Sequence, residues 1–511
     1  MVWQRHHFMA TRTGRLHFYP CGPLILYSLL LYAFLTKASN DSYLNDTALR
    51  LNYGGITNWA HFSTPADVRA QCADGIPLRI AYFTRHTGTL WDWIAIAAHL
   101  HVPWTRVNPG LFLQYGINAS SAARVWHDVG HVICHMADIL IFSDTIPDAR
   151  PLLQGGCQTP IVLQVTNRFD FEVLPSDLPS YVALLSEVAR RPHVWWVSNN
   201  PYEEEYMVRR GVKLPPAERR MMLRPVGTCL LPDAAPPTSG EGGGGDAAAV
   251  ADATIRVAMI LPPYSRHLEN TFIMPWLLRH GLTAHVQVYR QHYGGPSVLA
   301  RHRGVITVPY QTSVMKMYEG LAAGAVFVIP SPELFATLVR ELDLHRMSFC
   351  CRDLLRNHPD DWPQFMDWYH PDFVSAHVLY DNLKDLKRFL TDHAWSSQLV
   401  SERRRIGTAA MAASRERTLD GYGHLLRAVS QQVCAATTPE QLRARGAVFR
   451  AGKSLSSLSS LSPSPLAAAD DDDDNGGGVP NGLTLLAAGV EGSGGGRSGS
   501  GGGGGGGEAL A

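Results

Sequence analysis

The chain has 511 residues, 45% of them hydrophobic, enough for two or three domains with sizeable cores. Lys+Arg 45 balance Asp+Glu 45, so the formal net charge is zero, and nothing in the balance points to nucleic acid or to bulk attraction to anionic membranes. The charged share, 18%, is low, in part because of Gly-, Ala- and Ser-rich filler.

Residues 1–16 are polar and basic, with Arg5, Arg12 and Arg15. An apolar segment follows at 17–37, densest from Leu24 to Leu35. It approaches the length of a bilayer span, and the positive flank lies before it. The expectation is an uncleaved signal anchor with a cytosolic tail and a lumenal body, a cleaved signal peptide being the competing reading. A polar stem, 38–75, carries acceptor triplets at Asn40 and Asn45, and a third lies at Asn118. The eight cysteines show no C-x-x-C, so one or two disulfides could form in a lumen, with pairing that spacing does not reveal.

From 76 to 231 strand and helix patterns alternate. Strands are predicted at Arg79–Thr84, Asp138–Ser143, Pro160–Val165, His193–Ser198 and Gly227–Leu231. Helices are predicted at Leu90–His101, Ser120–Met136 and Leu178–Arg190. Such alternation predicts a doubly wound, parallel, Rossmann-like sheet, whose ligands bind beyond the carboxyl ends of its strands. The loops there are rich in groups that bind hydroxyls, and no G-x-G-x-x-G marks a dinucleotide site. His86, Asp144 and Asp170 are the candidates for a base that takes a proton from a hydroxyl. Each has a plainer role open to it: His86 or Asp144 could cap a turn, and Asp170 could pair with Arg168. His127, His131 and His135 recur at helical spacing and imitate a zinc-protease pattern, with Asp128 for glutamate. A helix face against the sheet or the cleft is the favoured reading of these imidazoles.

Residues 232–252 read as a flexible linker or inserted loop. Strand signals resume within 253–440, at Ile255–Leu261 and Ala284–Tyr289, with a helix at Thr271–His280 between them. The stretch Gly304–Leu334 is a strand-loop-helix-strand unit: strand Val305–Val308, helix Ser313–Ala323, strand Val326–Ile329. Thr312 or Ser313 can cap the helix, and Gly324 suits its left-handed end. The helix N-terminus can hold a phosphate, aided by Thr312, Ser313 and Lys316. Glu319, two turns in, is placed to accept hydrogen bonds from a ribose. A helical stretch from Trp395 to Ala435 closes the folded part. The aromatic patch Trp362–Tyr369 reads as core rather than as an acceptor platform. The tail, 453–511, with its Ser/Leu repeats, Asp470–Asp474 and glycine runs, cannot bury a core and is expected to be disordered.

Glu319-Gly320-Leu321-Ala322-Ala323-Gly324, followed by Val326 to Pro330, resembles the donor-site signature of GT-B glycosyltransferases, most closely the "glycosyl transferases group 1" type. Tyr293-Gly294-Gly295-Pro296 through Leu299 resembles that family's G-x-G-P…L element. In many members another glutamate stands seven residues before the first; here that position is Thr312. The resemblance implies two Rossmann-like domains facing across a cleft, an N-terminal acceptor domain and a C-terminal donor domain whose last helix crosses back. It implies transfer of a sugar from a nucleotide diphosphate sugar, as co-substrate, to a glycan or glycoprotein hydroxyl, without a metal or other cofactor. Arg266, Gly294, Gly295, Tyr310, Thr312, Ser313, Lys316 and Glu319 would form the donor side. The expected setting is a single-pass type II protein of the Golgi or endoplasmic reticulum. A catalytically silent lumenal protein that keeps the fold to bind glycans or partners is the alternative, favoured by Thr312. A Rossmann-type enzyme on another nucleotide, such as an epimerase, is a third.

Overall fold

The computed structural model describes Cys72 and residues 78–229, 256–261, 269–290, 293–341 and 351–443. The first sheet contains β1 (Ile80–Phe83), β2 (Trp104–Val107), β3 (Ile139–Ser143), β4 (Ile161–Val165), β5 (Val194–Ser198) and β6 (Arg220–Met222). Their order is β2-β1-β3-β4-β5-β6, with every pairing parallel. The central strands ILIFS, IVLQV and VWWVS are buried throughout, as strands covered by helices on both faces must be. The edge strands β2 and β6 escape prediction because they are short and only partly buried, so their pattern is mixed.

The second sheet contains β7 (Val257–Ile260), β8 (Val286–Tyr289), β9 (Val305–Ile306), β10 (Phe327–Pro330) and β11 (Val378–Tyr380). Its order, β11-β10-β9-β7-β8, is again wholly parallel. Counted within each sheet, both begin second-first-third-fourth-fifth, the first adding a sixth strand; this is the doubly wound order whose crevice opens between the first and third strands. The molecule is therefore an α/β protein with two Rossmann-like sheets.

Three expectations are corrected. Gly227–Cys229 is not a strand. The N–H groups of Val226, Gly227 and Thr228 go to the Asp92 carboxylate, so no ladder can use them. The helix predicted over Ser120–Met136 is interrupted by a π-turn, Trp126–Gly130. The Trp126 indole fills a slot beside Gly130 and Gly155, where added Cβ atoms would lie 2.3 and 2.0 Å from the ring. His127, His131 and His135 are exposed, so they do not pack against the sheet. Lastly, neither Thr312 nor Ser313 caps the helix Met315–Ala323; its N-cap is Val314, without a side-chain hydrogen bond. The Ser313 hydroxyl donates instead to Tyr318 Oη at 3.2 Å. Gly324 does end the helix in the left-handed region, at φ 86°.

A 44-residue helix, His393–Ala436, ties the halves together. Arg404 on it donates to the carbonyls of Gly324 and Ala300, at 2.8 and 3.0 Å, on the second-sheet side. Arg415 donates to Val226 O at 2.8 Å, Tyr422 meets Trp93 edge-on at 6.0 Å, and Trp195 donates to Gln432 at 3.2 Å on the first. Disulfides join Cys72 to Cys434 and Cys134 to Cys157. Trp362, Trp368 and Tyr369 are buried, so the aromatic patch is core. Among the described residues no helix is long and apolar enough to cross a membrane. The segment 17–37, Asn40, Asn45, the linker 232–252, Arg266 and the tail 453–511 lie outside those residues.

Candidate functional site

The two halves meet where two helices start. Gly88, in the first turn of the helix Thr87–Leu100, faces Met315, the first residue of the helix Met315–Ala323. A Cβ on Gly88 would lie 3.0 Å from Met315 Cγ. The segment Leu223–Thr228 threads between these helices. Asp92 holds it from one side, accepting from the N–H groups of Val226, Gly227 and Thr228 at 2.8, 3.1 and 3.3 Å. Tyr318 closes on it from the other: Gly227 sits at φ 70°, and a Cβ there would lie 2.6 Å from the Tyr318 carbonyl oxygen. Only glycine tolerates both the angle and the approach. A small cavity opens at this seam, lined by Thr89, Asp92, Gln164, Asn199, Arg224 and Met315 among others. It lies at the carboxyl ends of β1, β4 and β5, where such sheets bind ligands.

On the second-sheet side the structure gathers most of the predicted donor residues beyond the carboxyl ends of β8 and β9. Glu319 is 7% exposed. Its carboxyl has no hydrogen bond or ion pair among the described residues. Burial first, and the neighbouring Asp92 second, push its pKa up to about 8. Asp92 is pushed up to about 7 by burial, against the pull of its backbone N–H partners and of Arg415. Lys316, in the first turn, is half-buried and has no hydrogen bond or ion pair among the described residues. Burial lowers its pKa, while Glu269 opposes the shift. Thr312 is buried and Tyr310 packs partly against the core. Gly294 and Gly295 both adopt positive φ, 79° and 92°, and lead into the helix Pro296–Arg301.

Ser313 is drawn into a buried network. Tyr318 Oη donates to Asp367, and Asp367 pairs with Arg224 at 3.0 Å, which also reaches Asp372 at 2.9 Å. Glu269 falls in a stretch that reads as a loop from the sequence, which assigns it no role. One oxygen accepts from Thr307 Oγ1 at 3.1 Å and from the Val308 N–H at 2.9 Å, while the other is buried without a partner. No local pattern marks it, because those partners lie 38 and 39 residues away.

On the first-sheet side His86 and Asp144 stand at the β1/β3 crevice. His86 is the N-cap of the helix Thr87–Leu100, its Nδ1 accepting from the Thr89 N–H at 3.3 Å. That bond places the proton of a neutral ring on Nε2. To take a proton at Nε2, His86 would have to give up the cap. Asp144 is half-buried and holds φ 69°, an unusual angle for a residue with a side chain. It accepts from Thr145 Oγ1 at 3.2 Å. Asp170, after β4, accepts from Tyr206 at 3.0 Å and lies 3.6 Å from Arg168. Asn118 is the half-buried N-cap of the helix Ala119–Val125. Among the described residues no group of three or more His, Cys, Asp or Glu side chains is arranged to hold a metal.

No protein-family model and no curated protein matches the chain. Solved structures give remote likenesses. Anabaena HepE in complex with UDP and glucose is 13% identical, covering 70% of this chain and 99% of its own, at TM-score 0.39. The trehalose-6-phosphate synthase OtsA is 9% identical, covering 67% and 98%, at 0.41. A Listeria monocytogenes putative UDP-N-acetylglucosamine 2-epimerase is 10% identical, covering 65% and 94%, at 0.33. At TM-scores this low the architecture rests on the strand orders given above, not on these likenesses.

Proposed function

We propose that the chain is a GT-B type glycosyltransferase. It moves a sugar from a nucleotide diphosphate sugar to a glycan or protein hydroxyl. The observation that carries this reading is Glu319, a largely buried carboxyl with no hydrogen bond or ion pair among the described residues, near Asp92 of the first half and on a helix whose first turn carries Lys316. Strongly shifted acids in a cleft mark functional sites. Glu319 holds the ribose or the sugar. The helix start, Lys316 and Arg266 stabilise the negative charge that develops on the leaving diphosphate.

Asp144 is the base. Asp170 is already engaged by Tyr206 and Arg168, and His86 by its helix. The Asp144 carboxylate takes the proton of the acceptor hydroxyl as its oxygen bonds to the anomeric carbon. The bond from that carbon to the diphosphate oxygen breaks, and the electron pair leaves with the nucleotide. Attack opposite the leaving group inverts the anomeric configuration. No cofactor beyond the nucleotide sugar takes part. The body lies in the lumen of the Golgi or endoplasmic reticulum, anchored through 17–37. The disulfides Cys72–Cys434 and Cys134–Cys157 support an oxidising compartment. A catalytically silent, glycan-binding protein is the second reading, favoured by the buried Thr312 where the family has a glutamate.

The test is thermal stabilisation by a panel of nucleoside diphosphates and their sugars, for wild type and Glu319→Ala. A ligand at about a hundredfold its Kd adds ~2.7 kcal/mol to wild type and little to the variant. If no nucleotide stabilises wild type, the silent reading replaces this one.

A further inference from the structure

The loops that follow β1, β2 and β4 build a surface that the donor site does not use. Tyr115, after β2, and Phe171, after β4, meet edge-on, with centroids 6.1 Å apart and planes at 89°. Each ring carries a guanidinium: Arg85, after β1, lies 4.4 Å from the Tyr115 centroid, and Arg168 lies 6.0 Å from that of Phe171. Arg85 is itself fixed, donating to both oxygens of Asp148 at 2.8 and 2.9 Å and to the Leu113 carbonyl at 2.9 Å. Tyr115 nevertheless remains 46% exposed, and Leu174 beside this loop 53%. Both loops are bent by left-handed residues, Gly116 at φ 73° and Glu172 at φ 62°. A Cβ on Gly116 would lie 3.4 Å from the Glu172 carbonyl oxygen, so the two bends touch. Backbone held in this region at a residue with a side chain is characteristic of sites under functional constraint.

The strand order gives the surface its meaning. Between β2 and β4 run β1 and β3, and Asp144 directly follows β3. An aromatic pair contributed by the β2 and β4 loops therefore spans the crevice where Asp144 stands. Asp144 is near enough to Arg85 to influence its ionisation.

We infer that the Tyr115–Phe171 pair is a carbohydrate subsite, which stacks the C–H face of one sugar ring and presents that ring's hydroxyls to Asp144. A pyranose has an apolar face and a polar rim. The platform matches both, with a pre-organised ring for the face and arginine and carboxylate groups for the rim. Two rings and one leucine are far too little for a stable protein interface, which buries more than about 1,000 Å². The inference rests on the glycosyltransferase reading only for what the bound sugar is, the acceptor; the subsite stands without it.

The test is saturation-transfer NMR on the full chain with a panel of methyl glycosides: glucose, galactose, mannose, xylose and N-acetylglucosamine in both anomers. At least one is expected to receive saturation, strongest at the C–H protons of a single face. Tyr115→Ala and Tyr115→Leu should weaken its binding by roughly fivefold or more, whereas Tyr115→Phe should keep it. Tyr115→Leu retains an apolar side chain, so a loss seen there is not a loss of fold. No saturation of any glycoside by wild type, or equal affinity in both truncated variants, overturns the inference. Thermal stabilisation by nucleoside diphosphates is read on the same samples. Glycoside binding without it would discard the transferase reading and leave the subsite.

Discussion

Asp92 and Glu319 stand on facing helices and are almost equally buried, 4% and 7% exposed, yet they are opposites. Asp92 is surrounded by donors: three consecutive backbone N–H groups converge on it. Glu319 has none among the described residues, and the nearby charge that it feels is the carboxylate of Asp92, which repels it. A buried acid with both oxygens held by backbone N–H groups belongs to the fold. A largely buried acid with no protein donor on it stands ready for something else.

The sharpest way to break this contrast is to remove each acid. Asp92→Ala leaves three buried N–H groups unpaired and should cost about 3–5 kcal/mol in urea unfolding. Glu319→Gln should change stability by less than about 1 kcal/mol at pH 6, because no hydrogen bond is lost. Equal costs would end the distinction.

The second test is pH. Both acids titrate higher in the folded chain, at about 8 and about 7, than their ordinary 4.5 and 3.8. The stability that they contribute is therefore full below the ordinary carboxylate range and is lost as pH rises through 7 and 8. Glu203, pushed up to about 8 by burial, acts with the same sign. Between pH 5 and 8.5 each of these acids should cost the chain about 1.4 kcal/mol per pH unit up to its folded-state pKa, several kcal/mol in all, read from unfolding midpoints. Buried His377, pushed down to about 3, works in the opposite sense below pH 7. Glu319→Gln should flatten part of that slope. An unchanged slope would mean that Glu319 is ionised and solvated. The smallest effect belongs to His86: its imidazole caps a helix, so His86→Ala should cost about 1 kcal/mol in the same unfolding assay.

The same contrast explains what could be read from the residues alone. The buried strands β3, β4 and β5 announce themselves by continuous apolar runs, and Gly324 by its place after a helical pattern. The place of Glu319 on its helix was legible from helical spacing. Asp92 was not, because its partners lie 134 to 136 residues away. Asp367, 143 residues from Arg224, was hidden for the same reason. Ser313 shows a local rule overruled: a hydroxyl suited to capping a helix was claimed by Tyr318, and Val314 took the cap position. β2 and β6 stayed invisible because strands at a sheet's edge need not be apolar.

The bond between Cys72 and Cys434 also imposes an order on biosynthesis. The two cysteines are 362 residues apart, and the second lies in the last turns of the helix His393–Ala436. At ordinary elongation rates the ribosome takes about 20–70 s to travel that distance. Throughout that time Cys72 can only be a thiol or a wrongly paired half-cystine, although the β1 strand that follows it has long since emerged. Correct closure waits for the whole second sheet, so a nascent chain that stalls before residue 434 can be told from a finished one by the absence of that bond alone.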